Sequence, residues 1–302
     1  MDLKSKIILI YGPTASGKTQ FAIKLAKKIN GEIINADSMQ VYKDLKILTA
    51  RPLKKNLQKI KHHLYGFQNS NRYFSTGDWL KLVIKKIDVI RKRNKVPILA
   101  GGTGLYFKAL TEGLVEIPSV PANLRIKIKN LQKKIGQEKF YKRLLKIDPL
   151  SANKIHSSDV QRSIRAYEIK MFTKKSVDEW YKDTKPIFKK RDFYKIIITQ
   201  PRPELIEKIN KRTKQILETG AILEVKRFLK LKISKEKSIS KAIGIAEIGE
   251  YLKKMTQKEE LAQKISIKTR QYAKRQVTWA RGHMKGWKKI HADKLNNFLK
   301  KI

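Results

Sequence analysis

Short apolar runs alternate with amphipathic stretches through the first third of the chain. Ile7–Tyr11 and Val96–Ala100 are continuously apolar, which is typical of strands buried on both faces of a parallel sheet. Helical spacing of apolar residues follows the first run, in residues 18–29, and precedes the second, in residues 78–94. Ile196–Ile198 resumes the strand pattern later in the chain. This alternation predicts an α/β fold, a parallel sheet with helices on both faces.

The strand pattern is absent between residues 118 and 191, where every periodic stretch has helical spacing. Helices are predicted in this segment over about 122–135, 137–146, 159–172 and 176–182. We therefore expect two domains, which are an α/β catalytic core of residues 1–117 and 192–302 and an all-helical insertion domain of residues 118–191.

Residues 41–75 and the C-terminal residues carry weaker patterns. The first segment is irregular and basic, and it contains the adjacent pair His62 and His63. Since adjacent side chains point in different directions on a helix or strand, we interpret this pair as polar loop residues and not as metal ligands. Residues 296–302 are predicted to be a frayed basic tail that follows a long helix over residues 258–281.

A phosphate-binding motif stands between the first strand and the helix after it. Its glycines allow a tight turn whose backbone N–H groups point into one concavity at a helix N-terminus, where the helix dipole favours anions. Lys18 can reach terminal phosphates, and the Thr19 hydroxyl can ligate Mg²⁺. The motif predicts a P-loop NTPase-like core that binds a nucleotide such as ATP, or a diphosphate; the alternative is an ordinary glycine-rich turn. It comprises Gly12, Pro13, Thr14, Ala15, Ser16, Gly17, Lys18 and Thr19.

Asp37 comes directly after the second predicted strand, Glu32–Asn35. Ligands of open parallel sheets bind at the carboxyl ends of the strands, so Asp37 is expected beside the phosphate-binding motif. The alternative is that Asp37 caps a following helix. A second glycine-rich turn, Gly101–Gly104, ends a later strand at the same edge, and two such turns favour a phosphate-lined cleft.

The charge of the chain points to a polyanionic partner. Its 302 residues include 70 Lys and Arg against 26 Asp and Glu, a formal net charge of +44. Such a field attracts nucleic acid. Codon bias towards A·T is the competing explanation for the Lys, because it raises Lys content without giving it a role.

Two helical segments offer chemistry that suits nucleic acid. Gln161–Arg165 combines Arg side chains, which fit phosphates, with Gln, which fits base edges; the alternative is a solvated helix face. Near the C-terminus, basic residues interleave with Tyr272 and Trp279, a mixture that suits a groove along a nucleic-acid backbone. Trp279 fits a place in the core equally well.

The chain contains no cysteine, which excludes disulfides, thiolate catalysis and cysteine-based zinc sites and fits a reducing cytoplasm. No apolar run approaches the length of a membrane span, so no membrane partner is expected. The first strand begins almost at the N-terminus, and no signal peptide is predicted. We expect a cytoplasmic monomer.

Together these segments resemble the bacterial tRNA dimethylallyltransferase family, also called IPP transferases. The segments Asp-Ser-x-x-x-Tyr, Gly-Gly-Thr-x-Leu-Tyr and Lys-Arg-Gln-x-Thr-Trp are far more specific than the phosphate-binding motif alone. The matching stretches follow the family's order over nearly the whole chain, and they are Gly12–Thr19, Asp37–Tyr42, Gly101–Leu110, Gln161–Arg165 and Thr269–Gly282.

The resemblance implies a reaction. A dimethylallyl group moves from dimethylallyl diphosphate to N6 of the adenosine 3′-adjacent to the anticodon in tRNA, and diphosphate is released. Asp37 is then the general base for the amine. Loop amides, Lys18, Thr19 and Mg²⁺ neutralise the leaving diphosphate. Lys241 is expected to assist, although it stands where the family often has Arg or Gln.

The same mapping implies a set of tRNA contacts and two expected departures. Ile245 replaces a common Tyr, whereas Gly104 stands at a variable position and is expected to cost nothing. The residues implied to contact the anticodon stem-loop are Asp37, Ser38, Met39, Gln40, Thr103, Arg125, Gln161, Arg162, Ser163, Ile164 and Arg165.

Two other classes of protein stay open from the sequence. A P-loop small-molecule kinase shares the phosphate-binding motif, and a non-catalytic RNA-binding protein would use Asp37 only as a cap. The charge favours tRNA over a metabolite, and the motif disfavours mere binding.

Overall fold

The computed structural model describes residues 3–52 and 60–302, so residues 53–59 of the segment predicted to be irregular lie outside the described residues. The chain divides into two compact units. The first comprises Met1–Thr111 and Phe188–Ile302, and the second comprises Glu112–Ile187. The second unit thus begins and ends a few residues before the boundaries predicted at 118 and 191.

A six-stranded sheet forms the centre of the first unit. The strands are β1 Ile7–Tyr11, β2 Gly31–Asn35, β3 His62–His63, β4 Val96–Gly101, β5 Phe193–Thr199 and β6 Lys288–His291. They lie in the order β3-β2-β4-β1-β5-β6, and every neighbouring pair is parallel. The predicted α/β class is confirmed, and β1, which leads into the phosphate-binding motif, lies inside the sheet.

The described residues contain eleven α-helices. In chain order they are α1 Lys18–Lys28, α2 Thr76–Arg91, α3 Gly104–Glu112, α4 Ala122–Ile147, α5 Val160–Thr173, α6 Val177–Lys182, α7 Arg202–Glu218, α8 Ala221–Lys230, α9 Ile245–Leu252, α10 Lys258–His283 and α11 Leu295–Lys300. None of the described helices has the length and apolar character that crossing a membrane requires.

Helices cover both faces of the sheet, as predicted. Alternate residues of a strand point to opposite faces. Ile8 and Ile10 of β1 therefore pack with Phe21 and other apolar residues of α1. On the other face, Tyr11 meets the Phe107 ring of α3 edge to face, at 5.7 Å between ring centroids. All five residues of β1 are buried, which explains their continuous apolar pattern.

Every regular element of the second unit is helical, as the sequence pattern predicts. The helix α4 is kinked at Gly136, whose φ of 78° and ψ of 166° interrupt the helical backbone. The kink lies between the two helices predicted over about 122–135 and 137–146. Helices α4 and α5 pack together, with Phe140 and Ile169 buried.

The prediction of a loop at His62 and His63 is wrong. They form the edge strand β3, and the Nε2 atom of His63 lies 2.6 Å from the Oε2 atom of buried Glu32. Arg93 and Lys95 also approach Glu32, at 3.2 and 3.3 Å. A two-residue strand has too little periodicity to be detected in a sequence. The His63 ring is buried in the protein interior, and this burial lowers its pKa.

The prediction of a frayed C-terminal tail is also wrong. Strand β6 pairs with β5, and α11 follows it. Phe298 of α11 packs against Phe21 of α1 and Tyr194 of β5, at 5.9 and 6.4 Å between ring centroids. The lysines of this segment mask the few apolar residues that hold it to the sheet.

Phe298→Ala is expected to lower the free energy of unfolding by about 2 kcal/mol, because a partly buried aromatic ring is lost from the core. Asn297→Ala, on the exposed side of the same helix, is the matched control. Urea titrations of the two variants and the wild type measure the difference. Equal midpoints for all three proteins would mean that α11 contributes nothing to the fold.

Candidate active site

The carboxyl ends of β1, β2 and β4 meet at one edge of the sheet. Gly101 allows the closest approach, since a Cβ atom there would lie 2.0 Å from the carbonyl oxygen of Ala36. Backbone bonds continue past the strand ends, from Ala36 N–H to the Ala100 carbonyl and from Thr103 N–H to the Ala36 carbonyl. The Gly12 N–H also donates to the Gly101 carbonyl. The motif, Asp37 and the second glycine-rich turn are therefore neighbours, as predicted.

Within the described part of the chain, the phosphate-binding loop contains a buried hydroxyl without a partner and an ammonium that is bonded only to the loop itself. The Ser16 hydroxyl is buried and has no hydrogen-bond partner in the described residues. Lys18 Nζ donates a hydrogen bond of 3.1 Å to the carbonyl of Pro13, which belongs to the same loop. A buried hydroxyl and an ammonium folded back on its own loop are groups that an anionic ligand would satisfy.

Asp37 lies beside this loop in a turn and not at a helix. Its Oδ1 atom accepts the N–H of Met39 at 2.9 Å. No helix begins between residues 36 and 52, so the capping alternative is wrong. Asp37 is close enough to Lys18 and Arg212 to act on the pKa of both. The carboxylate and two cations therefore share one site.

Three tyrosines also face Asp37. Burial raises the pKa of Tyr65, Tyr106 and Tyr272, and the Asp37 charge raises each further. Their phenols consequently stay protonated and neutral. Tyr106 is stacked on Trp79, at 4.2 Å between ring centroids. Three neutral aromatic side chains thus lie within electrostatic reach of the carboxylate.

The residues after Asp37 are bound within the protein. The Ser38 N–H donates to the Thr103 Oγ1 atom at 2.9 Å, which joins two residues that the sequence assigned to tRNA. Met39 packs partly against an apolar cluster. The Gln40 side-chain amide donates to the Thr49 carbonyl at 2.8 Å. Ser38 and Thr103 are thus brought together at the site, whereas the Gln40 amide nitrogen is already used.

Two side chains that sequence reasoning missed hold the loop from the C-terminal third of the chain. Gln276 of α10 accepts the Thr14 N–H through Oε1 and donates through Nε2 to the Gly102 carbonyl, both at 2.8 Å. Arg212 of α7 donates to the Thr14 hydroxyl at 2.7 Å. Gln276 lies in the Lys-Arg-Gln-x-Thr-Trp segment, so the sequence drew attention to its position but not to its role. Arg212 lies in no recognisable segment, and only its charge distinguished it in the sequence.

The electrostatics of the loop are those of an anion site. Loss of solvation lowers the pKa of Lys18 to about 8, the nearby Asp37 opposes this shift and Arg212 adds to it. Burial lowers the pKa of Arg212 as well, against the effect of Asp37. Two cations with one carboxylate leave a positive charge that a diphosphate would balance.

Gly104 lies against the ring of Trp279, and the expectation that this glycine costs nothing stays a prediction. A Cβ atom at this position would lie 2.2 Å from the Trp279 ring. Trp279 also stacks on His283 and packs near Tyr11, at 4.4 and 6.3 Å between ring centroids. Trp279 is therefore part of the wall behind the two glycine-rich turns. Lys241 is exposed at the end of the short 3₁₀ helix Ser238–Lys241, and its assistance to the leaving group stays a prediction.

Within the second unit, two arginines assigned to tRNA share a buried carboxylate. Glu168 approaches Arg125 at 3.7 Å and Arg165 at 3.2 Å, while both guanidinium groups stay largely exposed. Arg162 is exposed and lies 3.4 Å from Asp159. An arginine pair fixed in this way suits phosphate.

The neighbouring residues of α5 differ in exposure. Gln161 is exposed and Ile164 is half-buried. Ser163 is fully buried, and its hydroxyl donates to the Asp159 carbonyl and accepts from Gln137. A contact with RNA at this turn must therefore come from the side chains around Ser163.

The parallel sheet and the loop at its carboxyl edge define a P-loop-like α/β protein with a carboxylate beside that loop. The sequence model of the IPP transferase family matches residues 40–283. The tRNA dimethylallyltransferase of Pelagibacter ubique is 58% identical over 302 residues, which are 100% of this chain and 96% of that protein. The chain belongs to the IPP transferase family.

Solved structures agree with this assignment. A tRNA isopentenylpyrophosphate transferase from Staphylococcus epidermidis is 33% identical, with a TM-score of 0.68 over 98% of this chain and 96% of that one. A eukaryotic dimethylallyltransferase acting on tRNA is 31% identical, with a TM-score of 0.82 over 95% of this chain and 74% of that one. Family membership favours the transferase over the kinase and the RNA-binding protein that the sequence left open.

Affinity for dimethylallyl diphosphate is expected to fall as pH rises above 8. The free Lys18 ammonium loses its proton near this pH, whereas a bound diphosphate needs the charged form. Linkage then weakens binding by up to about tenfold per pH unit until the pKa of the bound state is reached. Isothermal titration calorimetry between about pH 7 and pH 10 measures the affinity for dimethylallyl diphosphate at each pH. Lys18→Arg, which keeps its proton, is the control and should lose this dependence. A flat profile for the wild type would exclude Lys18 from the diphosphate site.

Proposed function

We propose that this protein transfers the dimethylallyl group of dimethylallyl diphosphate to N6 of the adenosine 3′-adjacent to the anticodon in tRNA, releasing diphosphate. The observation that carries the proposal is the position of Asp37, beside the phosphate-binding loop and within electrostatic reach of Lys18 and Arg212. A general base and an anion site are what this substitution at carbon requires. A monomer working in the cytoplasm, where tRNA is found, is part of the same proposal.

The loop holds the leaving group. Backbone N–H groups at the start of α1, the Lys18 ammonium and the Arg212 guanidinium stabilise the charge that grows on diphosphate as its bond to carbon breaks. The loop and the Arg212 guanidinium are held before the reaction, because Gln276 and Arg212 both bond to Thr14. Rigid donors add more in the transition state than mobile ones.

The loop also fits Mg²⁺ bound together with the diphosphate. The Thr19 hydroxyl near the start of α1 would hold the ion, and the unpartnered Ser16 hydroxyl is a further hard oxygen in the same loop. When bound, Mg²⁺ shields the negative charge of diphosphate. No group of three or more His, Cys, Asp or Glu that could hold a metal by themselves occurs among the described residues, which fits an ion shared with the substrate.

Asp37 accepts the proton. The N6 lone pair forms the new bond to the allylic carbon while the carbon–oxygen bond to diphosphate breaks, and the N6 proton passes to the carboxylate. The adenine amine is a weak nucleophile because its lone pair is delocalised into the ring. The aromatic side chains of Tyr65, Tyr106 and Tyr272 are proposed to keep water from competing for the allyl group. To bring its amine to this carboxylate, the adenine has to leave the stack of bases in the RNA.

The second unit is proposed to bind the RNA backbone. Arg125 and Arg165 are fixed by Glu168 with their guanidinium groups exposed, and Arg162 is exposed on the same helix turn as Arg165. The net charge of +44 supports a polyanionic substrate. Ser38, Met39, Gln40 and Thr103 remain candidates for contact with the flipped nucleotide.

Asp37→Asn is expected to lower the single-turnover rate of prenylation by about 10²–10⁴-fold, because the amide cannot take the proton. An anticodon stem-loop transcript and labelled dimethylallyl diphosphate are the substrates. RNA affinity should not change. Asp44→Asn, in the same segment but hydrogen-bonded to Ser70, is the control and should keep its rate. Equal rates for Asp37→Asn and the wild type would remove Asp37 as the base.

Arg162→Ala is expected to weaken tRNA binding and to reduce the slope of log affinity against log salt by about one, because one phosphate contact and its counterion are lost. Affinity for dimethylallyl diphosphate should stay the same. Arg143→Ala removes an equal charge from an exposed position of α4 and serves as the control for charge alone. An unchanged slope in Arg162→Ala, measured by filter binding, would contradict the assignment of this turn to RNA.

A further inference from the structure

Asn35 is the last residue of β2, and its side chain is fully buried two residues before Asp37. The Oδ1 atom accepts the N–H of Asp37 at 2.9 Å. The Nδ2 atom donates to the carbonyl oxygen of Asp37 at 2.9 Å and to that of Leu64 at 3.0 Å. Both amide hydrogens and the amide oxygen are thus used, and two of the three bonds act on the backbone of one residue.

These bonds fix Asp37 from both sides. With its N–H and its carbonyl held by the same amide, the backbone of Asp37 cannot rotate without breaking a partly buried hydrogen bond. The Oδ1 atom of Asp37 is held in addition by the Met39 N–H. The orientation of the carboxylate therefore follows from the turn that the Asn35 amide closes.

Asn35 is itself held firmly. Its carbonyl accepts the indole N–H of buried Trp79 at 2.9 Å, and it pairs with Ala100 in the sheet. Leu64, the third partner of the amide, has a φ of 61°, an uncommon value for a residue with a branched side chain. The rigid sheet and this loop are thus connected to Asp37 through a single side chain.

The chemistry of the position selects an amide. One N–H group and two carbonyl oxygens surround the side chain, so it needs one acceptor and two donors. An aspartate would turn an oxygen towards two carbonyl oxygens. A serine could satisfy the Asp37 N–H but could not reach both carbonyls.

We propose that Asn35 is a positioning residue that sets the direction of the Asp37 carboxylate towards the reacting amine. This inference rests on the proposed function of Asp37 as the general base. Misplacing a catalytic group by about 1 Å can cost 10²-fold in rate, so the amide would matter for turnover and not for substrate binding.

The test is a double-mutant cycle of Asn35→Ala and Asp37→Asn, with single-turnover prenylation of the anticodon stem-loop as the measurement. Asn35→Ala is expected to lower the rate by about 10- to 100-fold, with affinities for dimethylallyl diphosphate and RNA within about twofold of the wild type. In the Asp37→Asn background, Asn35→Ala should lower the rate no further, since there is no base left to position.

Two variants separate positioning from stability. Asn35→Ser restores an acceptor for the Asp37 N–H and should recover part of the rate. If Asn35→Ala does not fold, Asn35→Ser takes its place in the double-mutant cycle. Ile34→Val removes one buried methylene from the same strand, which lowers the melting temperature slightly, and it should keep the wild-type rate below that temperature. Thermal melts of every variant give the folded fraction used to normalise the rates.

The possible results distinguish failure of this inference from failure of the proposed function. A loss in Asn35→Ala or Asn35→Ser that disappears in the Asp37→Asn background supports the inference. An equal loss in both backgrounds, or no loss at all, overturns it while leaving the role of Asp37 intact. If the wild type transfers no dimethylallyl group, or if Asp37→Asn matches the wild type, the proposed function or its base fails first and the inference fails with it.

Discussion

The close contact between the backbones of Ala36 and Gly101 is the constraint on which the active site depends. Because Gly101 has no side chain, β2 and β4 stay hydrogen-bonded beyond their last ladder pairs, to Ala36 and Thr103. Asp37 and the second glycine-rich turn thereby keep a fixed distance from the phosphate-binding loop, which is bonded to the same Gly101. In the proposed reaction the proton acceptor and the diphosphate site act on the same pair of substrates, so the reaction tolerates little error in that distance.

In the rest of the site, the cost of holding charged groups in a partly buried place is offset by hydrogen bonds that fix the backbone around them. Lys18 loses solvation when it is buried, and this loss is the main cause of its lowered pKa; repulsion from Arg212 makes a smaller contribution in the same direction. Buried amides offset this cost by fixing the backbone around the charges, as Gln276 does for the loop and Asn35 does for Asp37. The protein thus holds its cations ready for an anion instead of collecting them when the anion arrives.

Much of this architecture could be predicted from the sequence, because the relevant signals are local. The strand, loop and helix around Gly12–Thr19 and the position of Asp37 after a strand depend on neighbouring residues only. Arg212 and Gln276 depend on which helix crosses the loop, and helical periodicity identifies a buried face without its partner. Strand β3 is too short to have a pattern. The apolar pattern of strand β6 and α11 is obscured by the many lysines around it. Lysine side chains can cover an apolar surface with their long stems, so a lysine-rich sequence can still pack against a core.

The order of the strands has a consequence for synthesis on the ribosome. Strand β1 leaves the ribosome first, yet its second neighbour in the sheet, β5, comes after the whole second unit. Until Phe193–Thr199 has emerged, one hydrogen-bonding edge of β1 is exposed, which is a hazard for aggregation. The loop is completed later still, because Gln276, which holds it, follows β5 in the chain. The nascent chain of this enzyme therefore carries its phosphate-binding motif long before the side chains that hold that motif have been made.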